Sequence, residues 1–263
     1  MKQEEQNIVV NHYTNTYKEE NRFETFSQKI EYITTMRYIE KYLKKGARIL
    51  EVGAGTGAYS IALAKMGYNV TALELVPRNV EVMKQNSEGI KTLTCLEGNA
   101  LDLPKEFENT FDLVLNLGPM YHMFSEEDKQ KVVDESIRVC KSGGICMFAY
   151  ITNSAVVCRS GIIKGHIKEM QYALTEDMKL RSIPEEIFSP FYIEDFKKLF
   201  EKTATTYVTN VAADGIISLL SDYIDEKMDD EQKSMLENWH FATCERGDQQ
   251  GLSPHCLYIC QKN

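Results

Sequence analysis

The sequence predicts a doubly wound α/β fold, built on a mostly parallel seven-stranded sheet with helices on both faces. Three observations predict it. Short apolar runs alternate with segments of helical period from residue 48 to residue 151, the rhythm of βαβ units. The runs are apolar almost throughout, as in Phe111 to Leu117, which suits strands covered on both faces. A glycine-rich turn, Gly53 to Gly57, joins the first strand directly to a helix.

Each element follows from local chemistry. Residues 1–23 are polar, with Tyr13, Tyr17 and Phe23 spaced through them. Phe26, Ile30, Ile33, Met36, Ile39 and Leu43 recur at helical spacing, and Gly46 terminates that helix. Arg48 to Val52 reads as the first strand and Ala58 to Met66 as the helix after the turn, with Gly67 as its stop. Asn69 to Leu73 is the second strand, and Pro77 opens a helix running to about Asn86. Lys91 to Leu96 and Phe111 to Leu117 are the third and fourth strands. Ser125 caps a helix whose first turn, Glu126, Glu127 and Asp128, carries the acids that a helix dipole favours. It ends near Lys141, before Gly143 and Gly144, and Ile145 to Ile151 is the fifth strand.

Beyond Asn153 the rhythm breaks. Residues 154–190 read as a helical insertion, Ile193 to Phe200 as a helix and Thr203 to Val211 as the sixth strand. Residues 214–247 read as a second helical insertion and Leu257 to Gln261 as the last strand. No repeat or low-complexity linker divides the chain, so one domain over 1–263 is expected: a lid and helix over 1–46, a ligand-binding core over 47–152, and two insertions forming a cover.

With 263 residues there is enough chain for a large core. The net charge of -9 disfavours binding to nucleic-acid backbones. No apolar stretch opens the chain and none is long enough for a membrane span, so a cytoplasmic protein that is neither exported nor membrane-bound is expected. Seven cysteines without a paired framework read as reduced thiols, mostly buried. His240, Cys244, His255, Cys256 and Cys260 lack the spacing of a metal site, and the acids at 225–231 do not match a calcium loop, so no metal is expected.

The chemistry concentrates in Glu51-Val52-Gly53-Ala54-Gly55-Thr56-Gly57. Glycines let a ligand approach the main chain closely, and the helix start offers unpaired N–H groups. The spacing is G-x-G-x-G, shorter than the G-x-G-x-x-G of the dinucleotide fingerprint, which argues against a nicotinamide enzyme. Glu74 ends the second strand, 17 residues beyond Gly57, where a carboxylate accepts hydrogen bonds from ribose hydroxyls.

On these residues, together with ILEVGAGTG (49–57), TALEL (71–75), LEGNALDLP (96–104), FDLVLNLGPMYHM (111–123) and IRVCKSGG (137–144), the chain resembles the Rossmann-like class I S-adenosylmethionine-dependent methyltransferases. The likeness is to their small-molecule type 11 group. Residues 20–46 and HFATCERGD (240–248) look like an uncharacterised bacterial branch of it. The resemblance implies S-adenosylmethionine as cofactor, with S-adenosylhomocysteine as product. Glu51, Gly53, Ala54, Gly55 and Gly57 would surround its methionine and ribose parts, Glu74 would hold the ribose, and Leu75 would pack on the adenine. Where the group often has Gly-Asp-Ala, this chain has Gly98-Asn99-Ala100, and the Asn99 carbonyl would accept the adenine amino group. Asn116 and Leu117 would border the methyl end, and Tyr17, with Tyr13, would close over the cofactor from the N-terminal segment.

Methyl transfer is a displacement at a carbon that the cofactor has already activated, so the protein mainly positions the nucleophile. His122 is a candidate general base and Tyr121 a candidate substrate-orienting group, both in the loop after the fourth strand. The expected reaction is methylation of a small molecule at O or N, with Met170, Met178, Phe188, Phe191 and Tyr192 candidates for an apolar acceptor pocket. The alternatives are a nucleic-acid methyltransferase, on the distant likeness of Asn116 to Tyr121 to an Asn-Pro-Pro-Tyr signature, and a non-catalytic protein that binds the cofactor.

Overall fold

A computed structural model describes residues 1–263. Seven strands form one sheet: β1 (Arg48–Val52), β2 (Asn69–Glu74), β3 (Leu93–Glu97), β4 (Phe111–Asn116), β5 (Cys140–Ile151), β6 (Thr205–Ala212) and β7 (His255–Lys262). Their order across the sheet is β3-β2-β1-β4-β5-β7-β6. Neighbours pair in parallel from β3 to β5, while β7 runs antiparallel to both β5 and β6. The expected doubly wound, mostly parallel architecture is therefore present. The chain order reverses between β1 and β4, and ligands of open α/β sheets bind beyond the carboxyl ends of the strands at that switch.

Alternation within the strands builds the core. Leu50 and Val52 enter one apolar layer with Val114, Phe148 and Tyr258, while Ile49 enters the other with Leu113, Met147 and Ile259. Successive strand residues face opposite ways, so a sheet with apolar residues at every position must be covered twice. The cover comes from α1 (Gln3–Asn11), α2 (Phe26–Tyr42), α3 (Ala58–Lys65), α4 (Pro77–Asn86) and α5 (Glu126–Val139), then α6 (Asn153–Val156), α7 (Ile167–Met170), α8 (Ile193–Lys198), α9 (Gly215–Leu219), α10 (Ser221–Lys227), α11 (Asp230–Thr243) and α12 (Gly247–Gln250). Thr25 caps α2 with Gln28 in reciprocal bonds, and Ser125 caps α5 through the Asp128 N–H.

The structure corrects several expectations. The segment 154–190 is helical only in its first half. After α6 and a wide turn of helix over Val157–Ile163 only α7 follows, and the rest is irregular apart from one short turn at Pro184–Glu186. Gly165, at φ +77°, ends the helical stretch that runs from α6, and Pro184 and Pro190 disfavour a longer helix beyond α7. The fifth strand begins earlier, at Cys140. Phe111 pairs with Cys140 and Leu113 with Ile145, so residues 141–144 bulge out of the ladder. The N-terminal segment contains helix α1, which the polar composition concealed. Cys140, Cys146, Cys244, Cys256 and Cys260 are buried and Cys95 and Cys158 partly so, all as free thiols. No helix is long and apolar enough to cross a membrane.

Candidate functional site

The turn after β1 is shaped by close approach. Gly53 has φ +74°, and a Cβ there would lie 2.6 Å from Cδ of Pro119, so the main chain passes hard against the loop that follows β4. Its N–H and that of Ala54 both bond the Leu73 carbonyl at the end of β2. The Glu74 carboxylate completes the frame: one oxygen accepts from Gly55 N–H at 2.8 Å and the other from Val76 N–H at 2.8 Å. Burial holds this carboxyl above its ordinary pKa despite those two bonds. Each oxygen keeps a lone pair for a further donor.

A cleft of about 650 Å³, open mouth included, runs along the carboxyl ends of these strands. Gly53, Gly55, Glu74, Leu75, Asn99 and Ala100 line it, with Tyr121 and His122. A smaller recess continues beneath it, lined by Glu51, Gly53, Ala54 and Leu117. Glu51 is 1% exposed, accepts a hydrogen bond from the Ser60 hydroxyl, and is pushed up to about 8 by burial. A buried carboxyl in that condition gains most from a cationic ligand. The Asn99 carbonyl oxygen accepts from the Leu101 N–H at 3.0 Å and has one lone pair left. Asn116 is buried at the end of β4 with its side-chain oxygen unpartnered, while its amide donates to Ser136.

Three expected residues line neither cleft nor recess: Asn116, buried behind them, Gly57 and Tyr17. Gly57 faces the protein interior, where a Cβ would meet Met83 and Ile61, so its smallness serves the packing of α3 on α4. Tyr17 is 40% exposed and lines a neighbouring cavity instead of the cleft. Its expected place over the cleft is taken by Tyr13 and Val9 of the N-terminal segment. That segment is tied down at both ends of its crossing: Glu20 pairs with Arg78 at 2.6 Å, and the Tyr13 hydroxyl meets His122 Nε2 at 3.0 Å.

His122 is fully engaged. Its Nδ1 lies 3.0 Å from the Ile187 carbonyl, which can only accept, so Nδ1 carries the proton and Nε2 accepts from Tyr13. Burial lowers its pKa to about 4. The ring thus joins the N-terminal segment to the 154–190 insertion, with neither nitrogen free for a substrate. Tyr121 donates its hydroxyl to the Leu117 carbonyl at 3.1 Å and borders both the cleft and the neighbouring cavity.

The neighbouring cavity holds about 1600 Å³, mouth included. Of the residues expected to form an apolar acceptor pocket only Phe188 lines it. Met178 is 63% exposed, Phe191 packs into the core, and Met170 is buried away from it. The walls are instead polar and charged: Glu31, Asp214, Asp222, Asp225, Arg22, Arg159 and His255. Arg22 stands at the junction, lining cleft, recess and cavity alike, and pairs with Glu19 at 3.1 Å and Glu31 at 2.7 Å. Spacing along the chain did not reveal this cavity. Its residues come from the N-terminal segment, α2, the segment after β5, the loop after β6 with α9 and α10, and the start of β7.

Residues 50–148 match the family model of the methyltransferase domain. Over 108 residues the chain is 36% identical to the ribosomal protein L11 methyltransferase of Thermotoga neapolitana, covering 40% of each chain. Over 152 residues it is 29% identical to that of Bacillus cereus, covering 56% of this chain and 45% of the relative. The chain thus spans about two fifths of the length of the curated relatives it matches. Among solved structures, an S-adenosylmethionine-dependent methyltransferase of Thermotoga maritima superposes with a TM-score of 0.58 at 15% identity, over 97% of this chain and 98% of that one. A TehB-like one of Corynebacterium glutamicum gives 0.53 at 14% identity over 88% of both. The fold extends over nearly the whole chain, while the family-model match lies in the part that carries the glycine turn and Glu74. The residues of that part suit S-adenosylmethionine, the cofactor of the family: acids for its hydroxyls and ammonium, and a close-packed turn between. Residues 50–148 thus match the methyltransferase domain, and over that stretch the match supports the resemblance to class I S-adenosylmethionine-dependent methyltransferases.

Proposed function

We propose that this protein transfers a methyl group from S-adenosylmethionine to a small-molecule acceptor at an oxygen or nitrogen atom. The observation that carries the reading is the junction at Arg22 and Tyr121, where the cleft adjoins a second, larger cavity. Two adjoining sites are what a transfer between two bound molecules requires, and proximity accounts for much of such a reaction's rate. When bound, the cofactor supplies a methyl carbon activated by a sulfonium. Glu74 accepts from the ribose hydroxyls, Asn99 and Leu75 meet the adenine, and Glu51 offers its carboxylate to the cationic end. Gly53, Ala54, Gly55 and Leu117 wall the cofactor, and Asn116 holds the end of β4 behind them. Tyr13 closes the cleft against water, with His122 as its anchor, while Tyr121 separates cleft from cavity.

The test is calorimetric binding of S-adenosylmethionine, followed by transfer of its labelled methyl group to a small-molecule panel. Saturable binding and labelled product are expected, and a folded protein that binds neither the cofactor nor its demethylated product would overturn the proposal. A second reading, methylation of a protein, is favoured by the L11 methyltransferases among the relatives. Label appearing on ribosomal protein L11, with none on the panel, would decide for it.

A further inference from the structure

The cavity beside the cofactor cleft contains a histidine held ready at one nitrogen and free at the other. His255, at the start of β7, places Nδ1 2.7 Å from Asp214 Oδ2 and 3.7 Å from Glu31 Oε2. Asp214 is itself fixed: its Oδ1 accepts from the His255 N–H at 2.9 Å and from the Ser253 hydroxyl at 2.8 Å, and the residue is 2% exposed. A carboxylate at Nδ1 keeps the proton there and leaves Nε2 as the basic atom. Nε2 makes no hydrogen bond, and the side chain, 22% exposed, lines the cavity. His122 shows the opposite arrangement, with both nitrogens spoken for.

The charge around His255 limits what the cavity takes. Glu19, Glu31, Asp214, Asp222 and Asp225 line it against Arg22 and Arg159, and Arg22 is already engaged by Glu19 and Glu31. Tyr13, Tyr17, Tyr121 and Phe188 supply aromatic faces on the same walls. An anionic acceptor meets excess carboxylate there, whereas an organic ammonium gains from both carboxylates and rings.

We propose that the acceptor is a protonated amine bound in this cavity, and that His255 takes its proton at Nε2 with Asp214 as positioning residue. The inference rests on the methyl-transfer reading above and names its substrate class and base. The ammonium gives one proton to Nε2, and the imidazolium so formed lies between Asp214 and Glu31. The freed lone pair on nitrogen then forms the bond to the methyl carbon as the carbon–sulfur bond breaks, its electron pair remaining on sulfur. The methylated product leaves as a cation, and His255 returns its proton to solvent.

Burial alone would weaken His255 as a base, but Glu31 and Asp214 outweigh it and raise its pKa above the ordinary value. The groups facing the ring are Glu31 from α2, Asp214 from the loop after β6, Arg22 from the N-terminal segment and Tyr121 from the loop after β4, its ring centroid 6.5 Å away. Turnover is therefore expected to rise with pH through a histidine value above the ordinary one.

Three probes on one framework test the class: phenethylamine, 2-phenylethanol and phenylacetate, titrated calorimetrically into the protein saturated with S-adenosylhomocysteine. The amine should bind at least about tenfold more tightly than the alcohol, with phenylacetate weakest. Equal binding, or phenylacetate first, overturns the amine class. Labelled methyl transfer over a panel of primary amines, each with its matched alcohol, tests the base. His255→Gln should lose about a hundredfold or more in turnover, together with the pH limb, while binding S-adenosylmethionine as the wild type does. Asp214→Asn should lower the pKa of that limb and of the His255 imidazole followed by NMR. Retention of the limb in His255→Gln overturns the base, and turnover of alcohols alone overturns the class. Activity abolished by a chelator and restored by magnesium would instead put a metal among Glu31, Asp214 and His255, and likewise overturn the proposal. A wild type that fails to bind S-adenosylmethionine defeats the underlying methyl-transfer reading and is recognised as such before any acceptor is added.

Discussion

The two halves of the sheet differ in how they build a site. From β1 to β4, most residues that meet the cleft, Gly53, Gly55, Leu73, Glu74, Leu75, Gly98 and Asn99 among them, lie at or just beyond a strand end. Beyond β5, the cavity is assembled from Arg22, Glu31, Asp214 and His255, which come from four separate segments. The first half is a local motif placed by parallel strands. The second is a non-local assembly, because β7 enters antiparallel between β5 and β6 and brings His255 beside a loop 41 residues earlier. A cofactor common to a family can be served by the first kind of construction, while an acceptor particular to one protein is met by the second.

Substitutions can break that contrast, and the largest effect is expected at Glu74. Glu74→Ala removes both the ribose acceptor and the bonds to Gly55 and Val76. Binding of S-adenosylmethionine, read by calorimetry, should weaken about a hundredfold or more, since hydrogen bonds to charged groups contribute roughly 1.5–3 kcal/mol each. Gly53→Ala should come next. Its φ of +74° and the approach of Pro119 leave no room for a Cβ, so a loss of about 1–3 kcal/mol in denaturant unfolding is expected. Binding that survives either change would detach the cleft from the glycine turn.

Glu51 sharpens the comparison by protonation. Its carboxyl, pushed up to about 8, holds a proton near neutral pH, and a cationic ligand should expel it. Calorimetry at pH 7 in buffers of different ionisation enthalpy should show release of up to about one proton per cofactor, absent in Glu51→Gln.

The two histidines should oppose each other. His122 is lowered to about 4 from an ordinary 6.5, so below 6.5 the unfolded chain binds the proton more readily, and stability contributed by the neutral ring falls as pH drops toward 4. His255 is raised, so its contribution is complete below 6.5 and is lost as pH climbs through the folded value. Melts across pH 4–8 should show His122→Gln flattening the acid side of the profile and His255→Gln the neutral side. The same slope change in both variants would refute the contrast. The smallest effect is expected from Tyr13→Phe, which removes one hydrogen bond to His122 Nε2. It should cost about 1 kcal/mol in stability and speed cofactor release a few fold in stopped-flow measurements.

Legibility in the sequence followed the same division. The strand runs, the cap at Ser125, the glycine turn and Glu74 announce themselves within windows of a few residues, because strand and helix periods and backbone conformations are local properties. His122 was singled out by its place after β4. Its lack of a free nitrogen depends on Tyr13, 109 residues earlier, and on Ile187, 65 residues later, and no local pattern records either. His255 was passed over as one member of a group with poor metal spacing, since its partners Asp214 and Glu31 belong to other segments. The polar lid concealed α1, and the 154–190 segment held apolar residues at spacings that Gly165 and Pro184 broke into short pieces.

The amino-acid sequence by itself determined the parallel half of the sheet, its order of elements, and a cofactor turn with Gly53, Gly55 and Glu74 at its edge. These follow from steric limits on φ, from the two-residue alternation of strands and from the chirality of βαβ crossovers, all of which act over short stretches of chain. Only the tertiary structure decided that His122 is tied off, that Tyr13 covers the cleft in place of Tyr17, and that His255 meets Asp214 and Glu31 in an acidic cavity. Those outcomes depend on which distant segments share a burial site. A buried polar group takes whatever partner the packing brings within about 3 Å, and its spacing along the chain does not say which.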